Sequence, residues 1–94
     1  MPEVEIYTWS ICPYCIRAKQ LLDQKGVSYT EHRIDGDEAA RAAMAVRAGG
    51  RRTVPQIFVD GEGLGGCSDL YELEEQGRLD VKLGRVAGPP AESP

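Results

Sequence analysis

The chain is poor in the residues that would commit it to several large classes of protein. One histidine and three cysteines in 94 residues fall short of the usual closed zinc site, which takes two cysteine pairs or one pair plus two histidines. Three cysteines also cannot close a disulfide framework. No apolar run approaches the roughly 20 residues that a membrane-spanning helix needs. The opening Met1-Pro2-Glu3-Val4-Glu5 carries acid where a secretory leader would carry base, and no apolar segment follows it. Basic excess is missing too: 11 Lys and Arg against 15 Asp and Glu give a net charge of −4. With a pI near 4.9, the chain lacks the basic face that phosphate contacts demand. These absences leave the expectation of a monomer in the cytosol, with no metal and with neither nucleic acid nor a membrane as partner.

What is present fits one small domain. Ninety-four residues, 41% hydrophobic and 28% charged, are enough for a single modest core and too few for two. Val4, Ile6 and Thr8 alternate with Glu5, Tyr7 and Trp9, the period of a strand over Glu3 to Trp9. Pro13 suits the first turn of a helix, and good helix formers continue from Cys15 to Lys25 until Gly26 stops them. Ile11, Cys15, Ala18 and Leu22 form its apolar stripe. Val27 to Thr30 opens a second strand, and Asp37 caps a second helix over Glu38 to Ala48, ended by Gly49-Gly50. Gln56 to Val59 reads as a short apolar strand. Asp60-Gly61 turns the chain, and Glu62 to Leu64 returns as the other arm of a hairpin. A third helix runs from Leu70 to Gln76, capped by Ser68 or Asp69, with a helical turn over Leu79 to Leu83. Residues 85–94 lack periodicity and are expected to be a disordered tail on a domain of residues 1–84. The order β-α-β-α-β-β-α predicts an α/β, thioredoxin-like fold, a mixed four-stranded sheet with three or more helices on both faces.

Two of the cysteines make Cys12-Pro13-Tyr14-Cys15. Cys12 stands at the mouth of the first helix, where unpaired N–H groups and the helix dipole favour an anion, hence a thiolate over a thiol. The thiolate is the attacking species in disulfide exchange. Cys15 falls in the apolar stripe and is expected to be shielded. The spacing therefore gives an exposed attacking thiol and a buried resolving one. A structural zinc knuckle is the competing reading, with only Cys67 and His32 left to complete it. His32 otherwise reads as a surface or half-buried histidine, and Cys67 as a small buried residue beside a helix start.

Two further segments carry chemical potential. In Thr53-Val54-Pro55 the chain is extended before proline. A cis Val54–Pro55 bond, a form that only about 5–6% of X–Pro bonds take, would turn the Val54 backbone outward to pair with an extended peptide. A trans bond merely starts an edge strand. In Gly65-Gly66-Cys67-Ser68-Asp69 the glycines admit a close backbone approach, and the helix start offers N–H donors to a carboxylate. Asp69 would meet an ammonium group there; simple capping explains the same residues. Arg47, Arg51 and Arg52 supply cations for a second carboxylate, or else form a solvated basic turn.

Together the Cys-Pro-Tyr-Cys motif, Thr53 to Val59 and the Gly65 to Asp69 run resemble the glutaredoxins of the dithiol class, from Val4 to about Leu83. The resemblance implies glutathione as co-substrate, a cis Val54–Pro55 bond, and exchange with glutathionylated or disulfide-containing proteins. It implies Cys12 as nucleophile and Cys15 as resolving thiol. It places Thr53, Val54 and Pro55 along the glutathione backbone, Ser68 and Asp69 at the γ-glutamyl head group, Tyr14 at the groove and Arg47 near the glycine carboxylate. Many family members carry lysine three residues before the nucleophile, where this chain has Trp9. Either Arg47, Arg51 or Arg52 takes that cation's role, or affinity for glutathione is lower. An iron–sulfur cluster carrier using Cys12 and glutathione is the alternative, against which Pro13 and Cys15 argue.

Overall fold

The computed structural model describes residues 2–84; the expected tail lies outside them. Strand β1 covers Val4–Thr8, helix α1 Pro13–Gln24, β2 Thr30–Arg33, α2 Glu38–Arg47, β3 Gln56–Val59, β4 Glu62–Gly65, α3 Cys67–Glu75 and α4 Leu79–Lys82. The sheet runs in the order β2-β1-β3-β4. β2 is parallel to β1, as a βαβ crossover requires. β3 is antiparallel to β1, and β4 to β3. This is the mixed four-stranded, thioredoxin-like arrangement read from the sequence.

Alternation along β1 divides the molecule into two unlike faces. Val4, Ile6 and Thr8 are buried. Val4 and Ile6 join Ala18, Leu21 and Leu22 of α1, Ile57 and Val59 of β3 and Leu70 of α3 in one apolar core. Burial of each large side chain there stabilises the fold by about 1.5–3 kcal/mol. Glu5 and Tyr7 point the other way, toward α2. Arg47 of α2 donates to both Glu5 carboxylate oxygens at 3.1 Å and to the Tyr7 hydroxyl at 2.8 Å. Its guanidinium lies 4.2 Å from the Phe58 ring centroid. His32 pairs with the same Glu5 at 3.0 Å and stacks obliquely on Tyr7. The His32 ring is thus half-buried and tied to a carboxylate.

Several boundaries differ from the sequence reading. The second strand begins at Thr30, because Val27 and Tyr29 pack their side chains against the core before the backbone reaches β1. The third helix begins three residues early, at Cys67, with Gly66 as N-cap. Neither Ser68 nor Asp69 is the cap. Asp69 instead reaches back from the first turn, its Oδ2 accepting the Gly66 N–H at 2.9 Å. Ile11 does not belong to the buried stripe. It precedes the helix and is 89% exposed.

Candidate active site

The chain leaves β1 through Trp9-Ser10-Ile11, and the Ser10 N–H donates to the Asp35 carboxylate at 2.7 Å, which pins this turn to the loop after β2. Cys12 then serves as N-cap of α1. Its backbone is extended (φ −153°, ψ 102°) and its Sγ accepts the Cys15 N–H at 3.2 Å. The thiol occupies the place that a serine or aspartate oxygen takes in other helices. Pro13 follows in the first turn, where no N–H is missed. This turned-in cap explains why Cys12 is 8% exposed rather than open to solvent as the sequence led us to expect. Cys15, at 1%, is the more deeply buried of the two. Burial, with a second contribution from the hydrogen bond to Cys12, pushes its thiol up from 9.0 to about 12. At neutral pH Cys15 therefore keeps its proton.

Beside the pair opens a cleft of about 740 Å³. Tyr14, Thr53, Val54, Pro55 and Ser68 line it, together with Gly66 and Cys67. The Val54–Pro55 peptide bond is cis. Among the described residues no backbone group pairs with Val54, so its N–H and C=O remain open. The third cysteine, Cys67, is buried where its thiol is pushed up chiefly by burial and slightly by the nearby Cys12. Asp69 stands behind Gly66. Its Oδ2 also accepts from Arg51 at 2.9 Å, and the Gly66 N–H and the Arg51 guanidinium hold the carboxyl below its ordinary value. Gly65 makes this possible. Its φ is +98°, and a Cβ there would lie 2.7 Å from the Asp69 carboxyl carbon.

The three arginines separate. Arg51 lines the cleft. Arg52 pairs with Glu38 at 3.0 Å. Arg47 lies outside the cleft, because Glu5 and Tyr7 hold it against the opposite face of the sheet. Trp9 is covered by the Arg41 guanidinium, 5.1 Å from the ring centroid, and Arg41 Nε donates to the Arg52 carbonyl at 2.9 Å. Sequence reasoning missed Arg17 and Tyr71, which share the cleft wall with Glu72 and Glu75. The Tyr71 hydroxyl donates to the Arg17 carbonyl at 3.0 Å, with the guanidinium 5.4 Å from its ring. A signal did exist: Arg17 follows Tyr14, and Tyr71 follows Ser68, by one helical turn, so each shares a face with a residue already singled out. Among the described residues, no group of three or more His, Cys, Asp or Glu is placed to hold a metal ion. No helix there is long and apolar enough to cross a membrane.

The glutaredoxin family model matches residues 4–64. Over 87 residues the chain is 60% identical to a probable glutaredoxin of Synechocystis, covering 93% of this chain and 80% of that one. Over 83 residues it is 57% identical to glutaredoxin 3 of Escherichia coli, covering 88% and 99% respectively. Among solved structures, the crystal structure of a buckwheat glutaredoxin–glutathione complex superposes with a TM-score of 0.81 at 33% identity, covering 92% of this chain and 83% of that one.

Proposed function

The chain belongs to the glutaredoxin family, glutathione-dependent thiol oxidoreductases, and on that premise we propose that it removes glutathione from protein mixed disulfides through Cys12 and reduces protein disulfides through Cys12 and Cys15 together. One observation carries the proposal: the Cys12 sulfur caps α1, receiving a backbone N–H at 3.2 Å, beside a cleft of tripeptide scale. The thiolate is the attacking species in disulfide exchange, and the cap fixes where this sulfur stands.

In the first route the Cys12 thiolate attacks the glutathione sulfur of a mixed disulfide. The S–S bond to the protein breaks, and its electron pair leaves with the protein thiolate. A second glutathione thiolate then attacks the Cys12 adduct, releasing oxidised glutathione and restoring Cys12. In the second route Cys12 attacks a protein disulfide. Cys15 gives up its proton and displaces the protein, leaving a Cys12–Cys15 disulfide that two glutathiones reduce. The glutathione backbone pairs with the open Val54 N–H and C=O between Thr53 and Pro55. Its γ-glutamyl carboxylate meets the N–H groups at the head of α3, including that of Ser68, and its ammonium meets Asp69. Tyr14 flanks the sulfur, and Arg17 and Arg51, both in the cleft wall, are the cations within reach of a carboxylate. That the buckwheat protein was crystallised with glutathione supports the same ligand here.

Incubation with oxidised glutathione followed by peptide mass mapping tests this directly. The expected product of the Cys15→Ser variant is one glutathionyl adduct, on Cys12. That variant should continue to deglutathionylate proteins while losing reduction of protein disulfides. An adduct confined to Cys67, or undiminished protein-disulfide reduction without Cys15, would overturn the assignment.

A further inference from the structure

Ile11 immediately precedes the thiol that caps α1, and it is the most exposed large apolar side chain among the described residues, at 89%. Ile16, one turn into α1 from Cys12, is 49% exposed. Neither lines the cleft, whereas Tyr14, 62% exposed, does. Tyr14 and Ile16 sit one residue either side of the buried Cys15, roughly 200° apart around the helix. The reacting sulfur therefore has the cleft on its Tyr14 flank, while Ile11, its chain neighbour, and Ile16, one turn on, form an exposed apolar rim outside that cleft.

The chemistry fixes what must come to that rim. A mixed disulfide has two halves joined by one S–S bond, and the glutathione half is accounted for by the cleft. When Cys12 attacks the glutathione sulfur, the polypeptide half leaves from within a few ångströms of Cys12, carrying the electron pair of the broken bond. Residues flanking the substrate cysteine are then brought against the part of the surface that glutathione does not cover. We propose that Ile11, backed by Ile16, is a specificity-determining residue for the polypeptide half, favouring substrates with an apolar residue next to the glutathionylated cysteine. The inference rests on the glutathione-exchange reading above and adds the substrate class to it. Burying a branched aliphatic side chain against another in the transition state lowers the barrier without altering the sulfur chemistry.

The test compares wild-type protein with Ile11→Ser on three substrates: a small mixed disulfide of glutathione and 2-mercaptoethanol, and two glutathionylated peptides carrying leucine or serine beside the cysteine. For the wild type, kcat/KM should favour the leucine peptide by about tenfold. Ile11→Ser should abolish that preference, leave the small substrate within about twofold, and melt at the wild-type temperature. Ile11→Leu should restore the preference, which separates apolar contact from a general disturbance of the helix entrance. Equal rates on the two peptides for the wild type, or an equal loss on all three substrates in Ile11→Ser, would overturn the proposal. So would a rate per thiol that falls with protein concentration and recovers in Ile11→Ser, since that outcome gives the rim to a second copy of this chain. Wild-type protein inactive even on the small substrate would instead remove the underlying glutathione reading, a failure distinguishable from all of these.

Discussion

At the scale of single residues, the sulfur of Cys12 has two jobs that substitution can separate. As a cap it closes the first turn of α1; as a thiol it is the nucleophile of the proposed exchange. Cys12→Ser should keep stability within about 0.5 kcal/mol, because a hydroxyl caps well, whereas Cys12→Ala should lose about 1 kcal/mol. Both should be inactive, and urea titration alongside an exchange assay reads the difference. Cys15 gives an alkaline prediction. Its folded value of about 12 exceeds the ordinary 9.0, so the stabilising effect of keeping it neutral is complete below 9.0 and is lost as pH rises through about 12. Stability measured from pH 8 upward should fall less steeply in Cys15→Ser than in the wild type. The places of these two cysteines, one at the mouth of α1 and one buried behind it, were legible because their spacing and the proline between them specify a helix entrance locally. Arg47 was not, because its partner Glu5 lies 42 residues away in sequence, and no local pattern announces a pairing across the sheet.

At the scale of elements, the junction of β4 and α3 depends on a left-handed glycine packed against a carboxylate. Gly65→Ala meets both the positive φ and the Asp69 side chain, so it should destabilise the fold by about 1–3 kcal/mol and displace Asp69 from the Gly66 N–H. Its KM for glutathione should rise several-fold. Gly61→Ala is the control: its φ is +83° but nothing lies within 4 Å of the added methyl, so stability should drop by about 1 kcal/mol with KM unchanged. Steady-state kinetics and thermal melts on both variants check this. Every helix and strand was visible in the sequence as periodicity or turn chemistry, and the errors fell at their ends. The start of α3 was misplaced because Ser68 and Asp69 look like caps, while Gly66 has no side chain to advertise that role. Ile11 was assigned to the buried stripe because a spacing of four suits a helix, but the helix had not yet begun at Ile11.

For the whole molecule, the two faces of the sheet are held by different forces. One is a continuous aliphatic core joining α1, α3 and α4 to the strands. On the other, Phe58 of β3 is buried beneath Arg47, α2 buries only Met44 and Ala45, and the Arg47–Glu5 pair ties the helix to the sheet. Hydrogen bonds from Arg47 and then His32 hold the Glu5 carboxyl below its ordinary 4.5, and Thr8 followed by Lys19 does the same for Glu31. These carboxylates stabilise the fold above their unfolded values, and that stability is lost as pH falls through the lowered folded ones. Melting temperatures between pH 7 and 3 should therefore decline, and Glu5→Gln should flatten part of the decline. The sheet order and the mixed strand directions followed from the succession of elements. The ionic character of the α2 face did not, since it depends on which charged side chains meet after folding. Acid acts on both layers, on α2 through Glu5 and on α1 through the Glu31–Lys19 pair, but only α1 is also held by the aliphatic core. Amide exchange as pH falls is expected to reveal α2 opening before α1, a half-undone species in which Cys12 and Cys15 remain together.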